Sequence, residues 1–278
     1  MNNPAQRYPR LRSDPDAALV LHFCPAMEAE KLAPVMALQR ELLAMPDEIT
    51  EPEVLQAKLA WWLQELSSCA EGNPPSHPLA QEIEQAHAEF AWIGWQQAVA
   101  SLLQQAGETG SATQAQLHAY RLEQGGAIWQ AWLLGGAAAP KRTMAAQGAI
   151  LQLVDALRRD RGQLRWIGLD RLARFQRRRS ALQATIVAGK KDSQCIKLLR
   201  ELADEWLAEC HILLREPVDH KGPEAAVLAM QLSLAQLWLR ALRRRPLAVL
   251  RGDFRPALLR RLHAVWRVAA QHRRRHGH

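Results

Sequence analysis

Residues Ala57-Lys58-Leu59-Ala60-Trp61-Trp62-Leu63-Gln64-Glu65-Leu66 lie between a turn-and-start signal, Thr50-Glu51-Pro52, and a break, Gly72-Asn73-Pro74-Pro75. Val54, Leu55, Leu59, Trp62, Leu63 and Leu66 recur at three- and four-residue steps, the period of one helix face. Thr50 is read as the N-cap and Pro52 as a first-turn residue. Adjacent side chains cannot share a face, so of Trp61 and Trp62 one is expected in the core and the other at a rim.

The same reading extends in both directions. Upstream, Val35, Leu38, Leu42 and Met45 mark a helix over Ala33 to Ala44. Downstream, His77-Pro78 opens another through Ile83 and His87, with Phe90, Trp92 and Trp95 near its end. Long apolar helices follow at Leu117 to Leu134 and Ala145 to Arg161. Later ones are expected at Leu169 to Gln183, Gln194 to Leu214, Pro223 to Arg243 and Pro256 to Gln271. Sustained two-residue alternation is missing and good helix formers dominate. An all-α single-domain bundle of roughly eight to ten helices is the expected fold. Residues 1–16 are expected as a flexible N-terminus, 17–271 as the helical domain and 272–278 as a basic tail.

Composition narrows the function classes. Of 278 residues 48% are hydrophobic and ten are tryptophan, which suits a packed globule. Cys24, Cys69, Cys195 and Cys210 lie far apart without a CxxC pair, which points to a reducing compartment. No apolar run reaches the ~18 residues that span a bilayer. A cytoplasmic protein, or one peripheral to the inner membrane face, is expected. The formal charge of +8 is regional: twelve arginines from Arg240 onward face only Asp253, and a second cluster runs from Arg158 to Arg179. The apolar residues interleaved with the C-terminal arginines suit either core packing with a basic outer face or an anionic membrane surface. Without a motif or stacking aromatics, nucleic acid ranks last.

Isolated motifs read blandly. Glu84-x-x-His87 lacks a second copy and is taken as a solvated helix face. Glu201, Glu205 and Glu209 form an exposed stripe for Lys197 or Arg200. Phosphate loops, GxSxG and HExxH are absent.

Order and spacing carry more. The Trp pair, His77-Pro78, Tyr120 with Gly126, and Gly148-Ala149-Ile150-Leu151-Gln152-Leu153 together resemble the squalene/phytoene synthase family over about Leu19 to Trp166. The resemblance implies a fold of the isoprenoid (trans-prenyl) synthase type. It also implies two helices bearing aspartates that hold Mg²⁺ against prenyl diphosphates, which are joined head to head. This chain departs from that pattern. Leu43 and Ala44 stand at aspartate positions, leaving Asp47; Arg159 and Gln163 stand at the second pair, with Asp160 one residue displaced and Asp155 one turn before. A branch of the family without these aspartates serves as an assembly factor for respiratory complexes. The chain resembles that branch at Gln39 to Leu42, Thr50-Glu51 and Lys58-Leu59-x-Trp61-Trp62.

The expectation is a non-catalytic family member that binds an isoprenoid or lipid-like ligand, or a protein partner, near a membrane. The candidate cavity residues are Arg40, Asp47, Tyr120, Gly126, Gln152, Asp155, Arg158, Arg159 and Asp160. No cofactor is expected. In the alternative, an active prenyl transferase, Asp47, Asp155 and Asp160 hold Mg²⁺ and Arg40, Arg158 and Arg159 grip diphosphate.

Overall fold

The computed structural model describes residues 4–87, 90–107, 113–134, 142–159, 164–189, 192–215 and 223–276. After a 3₁₀ turn at Pro4–Arg7 the helices are α1 Pro9–Arg12, α2 Pro15–Phe23, α3 Ala26–Glu48, α4 Pro52–Ala70, α5 Pro78–Ala86, α6 Trp92–Gly107 and α7 Gln114–Leu134. They continue as α8 Arg142–Arg159, α9 Leu169–Arg174, α10 Arg179–Ala188, α11 Ser193–Arg215, α12 Pro223–Arg244, α13 Pro246–Leu250 and α14 Leu258–His276. No strand occurs among the described residues, so the all-α expectation holds.

Proline starts many of these helices. It occupies the first turn of α1, α2, α4, α5 and α13, where its missing N–H costs no hydrogen bond. The α5 cap is His77, whose Nδ1 accepts the Leu79 N–H at 3.2 Å. At α4 the cap is Glu51, not Thr50; the Thr50 hydroxyl donates sideways to the Glu51 carboxylate at 2.8 Å. Trp62 is buried and Trp61 is 46% exposed, so the pair divides between core and rim. His77 packs on both rings, 4.6 Å from Trp62 and 5.9 Å from Trp61 between centroids.

Among the described residues the helices number fourteen, more than the eight to ten expected, and Trp92 and Trp95 open a helix of their own, α6, after α5 ends at Ala86. Further expectations need correction. Residues 1–16 are not a loose leader from Pro4 on: Ala5, Tyr8, Leu11, Asp14 and Asp16 are buried. Tyr8 donates to Glu82 at 2.6 Å and Arg10 bonds Glu41 on α3 at 2.9 Å. The helix expected at Leu169 to Gln183 is two helices. Gln176, at φ +53°, closes α9: its N–H reaches Ala173 O at 2.8 Å and the Arg177 N–H reaches Leu172 O at 2.9 Å, a Schellman closure. Residues 272–276 of the expected tail are the last part of α14, which runs through His276; residues 277 and 278 lie outside the described residues.

The bundle centre is set by α7 and α8. Gly125 and Gly148 meet backbone to backbone; a Cβ on either would collide with the other's carbonyl group. Next to Gly125, a Cβ on Gly126 would come within 2.9 Å of the Ala145 Cβ. Gly126 and Gly148 thus act as packing residues that let two helices touch. Gln152 on α8 donates to Gln124 on α7, and Gln124 donates to Gln105 on α6 at 3.0 Å. Residues 224–244 of α12 are long and apolar enough to cross a membrane by length and composition. However, most of that stretch is buried against α8, α11 and α14, as a core helix must be.

Candidate functional site

Where α3 and α8 face each other, a cleft of about 1060 Å³ opens. Arg40, Ala44, Asp47 and Glu48 line it from α3, at the spacing of one helical face. Opposite stand Asp155, Arg158 and Arg159 of α8. Arg10 and Asp14 close one side, and Arg165, Arg251 and Arg255 another. Trp166, Ile186, Val187, Trp238, Val249 and Leu250 form an apolar wall. Among the described residues, seven arginines against five acids leave the lining two positive charges in excess.

Every acid in that lining has an arginine. Asp14 meets Arg40 at 2.9 Å and is also bound by Arg158. Asp155 is bound by Arg40 and lies 3.6 Å from Arg158. Asp47 accepts from Arg159 Nη2 at 3.0 Å and from its Nε at 3.2 Å. Glu48 pairs with Arg10, and Asp253 with Arg251 at 2.8 Å. Arg165 and Arg255 have no carboxylate partner among the described residues. Arg165 donates instead to Pro46 O at 2.6 Å, satisfying one of the free carbonyls at the C-terminus of α3.

The electrostatics follow from this pairing. Burial raises the Asp14 pKa, but Arg40 and Arg158 outweigh it and hold the carboxyl well below the usual range. Burial brings Arg40 down to about 10 against the pull of Asp14, which leaves it charged at neutral pH. At Asp47 burial wins over Arg159 and the pKa rises. The cleft is therefore a cradle of guanidinium groups steadied by carboxylates, and arginine binds phosphate oxygens two at a time. Among the described residues the lining does not offer a Mg²⁺ cluster. No group of three metal-ligating acids, histidines or cysteines converges among the described residues, and a metal would have to break the arginine pairs.

The sequence reading named Arg40, Asp47, Asp155, Arg158 and Arg159, and the structure brings all five to the cleft. Tyr120, Gly126 and Gln152 lie elsewhere: Tyr120 is half-buried on α7, and the other two serve helix packing. Asp160 lies outside the described residues. What the reading missed is Asp14 and its neighbour Asp16, which accepts from Trp238 Nε1 at 2.8 Å and Arg261 Nη1 at 2.6 Å. The signal was Asp14-Pro15 before an apolar run, an N-cap followed by proline. Asp14 does cap α2, accepting the Asp16 and Ala17 N–H groups at 3.0 and 3.3 Å.

Comparison with known proteins gives the family and the fold. The family model described as squalene/phytoene synthase matches residues 11–263. The chain belongs to the squalene/phytoene synthase family. Among solved structures it is similar to a dehydrosqualene synthase crystallised with a ligand, at 15% identity and a TM-score of 0.73, covering 96% of this chain and 98% of that one. That likeness establishes the isoprenoid-synthase fold. No curated protein matches the sequence.

Proposed function

We propose that this protein is a non-catalytic member of its family that binds an amphiphilic anion of the prenyl diphosphate class, with arginines in the place of metal ions. The observation that carries the reading is that all five acids among the described residues of the cleft lining are engaged by arginines. Carboxylates so committed do not gather Mg²⁺, and without metal the diphosphate gains no assistance in leaving. The cationic lining with an apolar wall matches a charged head on an apolar chain. The resemblance to the assembly-factor branch supports a role through a bound ligand or protein partner.

One observation favours a second reading, a Mg²⁺-dependent transferase that condenses two prenyl diphosphates. Asp47 and Asp155 line the same cleft from facing helices. Calorimetric titration with farnesyl diphosphate in EDTA, and again in Mg²⁺, separates the two. We expect equal affinity in both, no pyrophosphate release, and at least a tenfold loss in Arg159→Gln, since a charge-assisted contact contributes about 1.5–3 kcal/mol. Pyrophosphate release that needs Mg²⁺ and vanishes in Asp47→Asn would establish the transferase instead.

A further inference from the structure

Away from the cleft, α14 carries charge and apolar surface together. Its buried face holds Val265, Ala269 and Arg261, the last tied to Asp16. Its outer face holds Leu259, 79% exposed, and Trp266, 50% exposed. Seven residues nearly complete two turns, so these two side chains share one stripe, with His263 between them. Arg260 and Arg267 flank it, Arg273 and Arg274 continue it, and the helix contains no Asp or Glu. Beside the stripe, Arg240 and Leu237 of α12 join Leu259, Arg260, His263 and Arg267 around a groove of about 310 Å³.

A large aromatic and a leucine held in water are costly unless something covers them. A helix with an arginine-rich polar face and Trp and Leu on the apolar one suits the boundary of a bilayer, where the rings sit at headgroup depth. Guanidinium groups at the rim would meet lipid phosphates, each adding about 1 kcal/mol at an anionic leaflet. We infer that this face of α14, with the Arg240 edge of α12, docks on an anionic membrane surface, Leu259 and Trp266 entering the interface and Arg240, Arg260 and Arg267 holding headgroup phosphates. Docking uses none of the cleft arginines and stands whether or not the cleft binds an anion.

Co-sedimentation of the full chain with vesicles tests it. One set is phosphatidylcholine alone and the other equimolar phosphatidylcholine and phosphatidylglycerol, both at physiological salt. We expect binding to the anionic set only. Leu259→Asp/Trp266→Asp and, separately, Arg260→Gln/Arg267→Gln should each weaken it at least tenfold with unchanged thermal melts, because all four side chains are exposed. Arg159→Gln, in the cleft, should bind vesicles like the parent. Binding that the Leu259/Trp266 variant retains would show a general polyanion surface and overturn insertion. Failure of the parent chain to bind either set would overturn the proposal and leave the face to a protein partner.

Discussion

Asp14 does two jobs at once: its carboxylate caps α2 and it neutralises Arg40 and Arg158 at the cleft. Because its pKa is held low in the folded protein, the unfolded chain binds that proton more tightly. The stabilisation is fully present above the ordinary aspartate value of about 4 and drains away as pH falls through it toward the native value. Asp47, raised by burial, has the opposite sign: the native state holds its proton more tightly and loses stability as pH rises. The informative quantity is therefore a difference between variants. Asp14→Asn keeps the cap, since Asn caps as well as Asp, but removes the ionisable group. Thermal melts from neutral pH to about pH 3 should show a steeper acid decline in the parent than in the variant. Parallel curves would mean that Asp14 carries none of the acid limb.

Between elements, the decisive contact is a pair of glycines. Gly125 and Gly148 bring α7 and α8 together with no side chain between them, and that proximity positions Asp155, Arg158 and Arg159 two and three turns further along α8. Gly148→Ala must push the helices apart; overpacking of this kind costs about 1–3 kcal/mol and more where backbone blocks relaxation. We expect a melting temperature lower by roughly 3–10 °C and weakened anion binding; an unchanged melt would show that the crossing has slack. The Gly148 to Leu153 motif was legible as a signature, but its reason was not, because helix-to-helix approach depends on a partner 23 residues away. The α9–α10 break was invisible for a related reason. Its closing residue is Gln176, which takes a left-handed conformation usually marked by glycine. Helix periods could be read because each is local to one helix face, and the cleft positions on α3 and α8 because they fall where the resemblance to the family places its two aspartate motifs. Asp14 could not be assigned to the cleft, since its partners lie 26 and 144 residues along the chain.

At the scale of the whole molecule, the two ends of the chain are joined inside it. Asp16, near the start, receives hydrogen bonds from Trp238 on α12 and Arg261 on α14, and all three side chains are buried. Arg158 lies over the Trp238 ring at 5.3 Å and within 3.5 Å of Asp16, so the same cluster reaches the cleft. A buried ion pair adds little over apolar packing, yet removing one partner strands the other and costs about 3–5 kcal/mol. Asp16→Ala and Arg261→Ala should therefore each be severe, lowering the melting temperature by roughly 6–20 °C. Arg261→Ala should be milder, since Asp16 keeps Trp238 and Arg158, whereas Asp16→Ala orphans Arg261 and the indole N–H together. The double variant should cost clearly less than the sum, with a coupling energy of about 1–3 kcal/mol in a double-mutant cycle followed by denaturant unfolding. Additive losses would mean that the two residues act independently, and that the N-terminal helices are held by their other contacts, the apolar burial of Ala5, Leu11 and Val20 and the ion pairs of Arg10 and Asp14. Strong coupling makes the first two helices part of the cleft's own frame, because the cluster that fastens them also holds Arg158 in place.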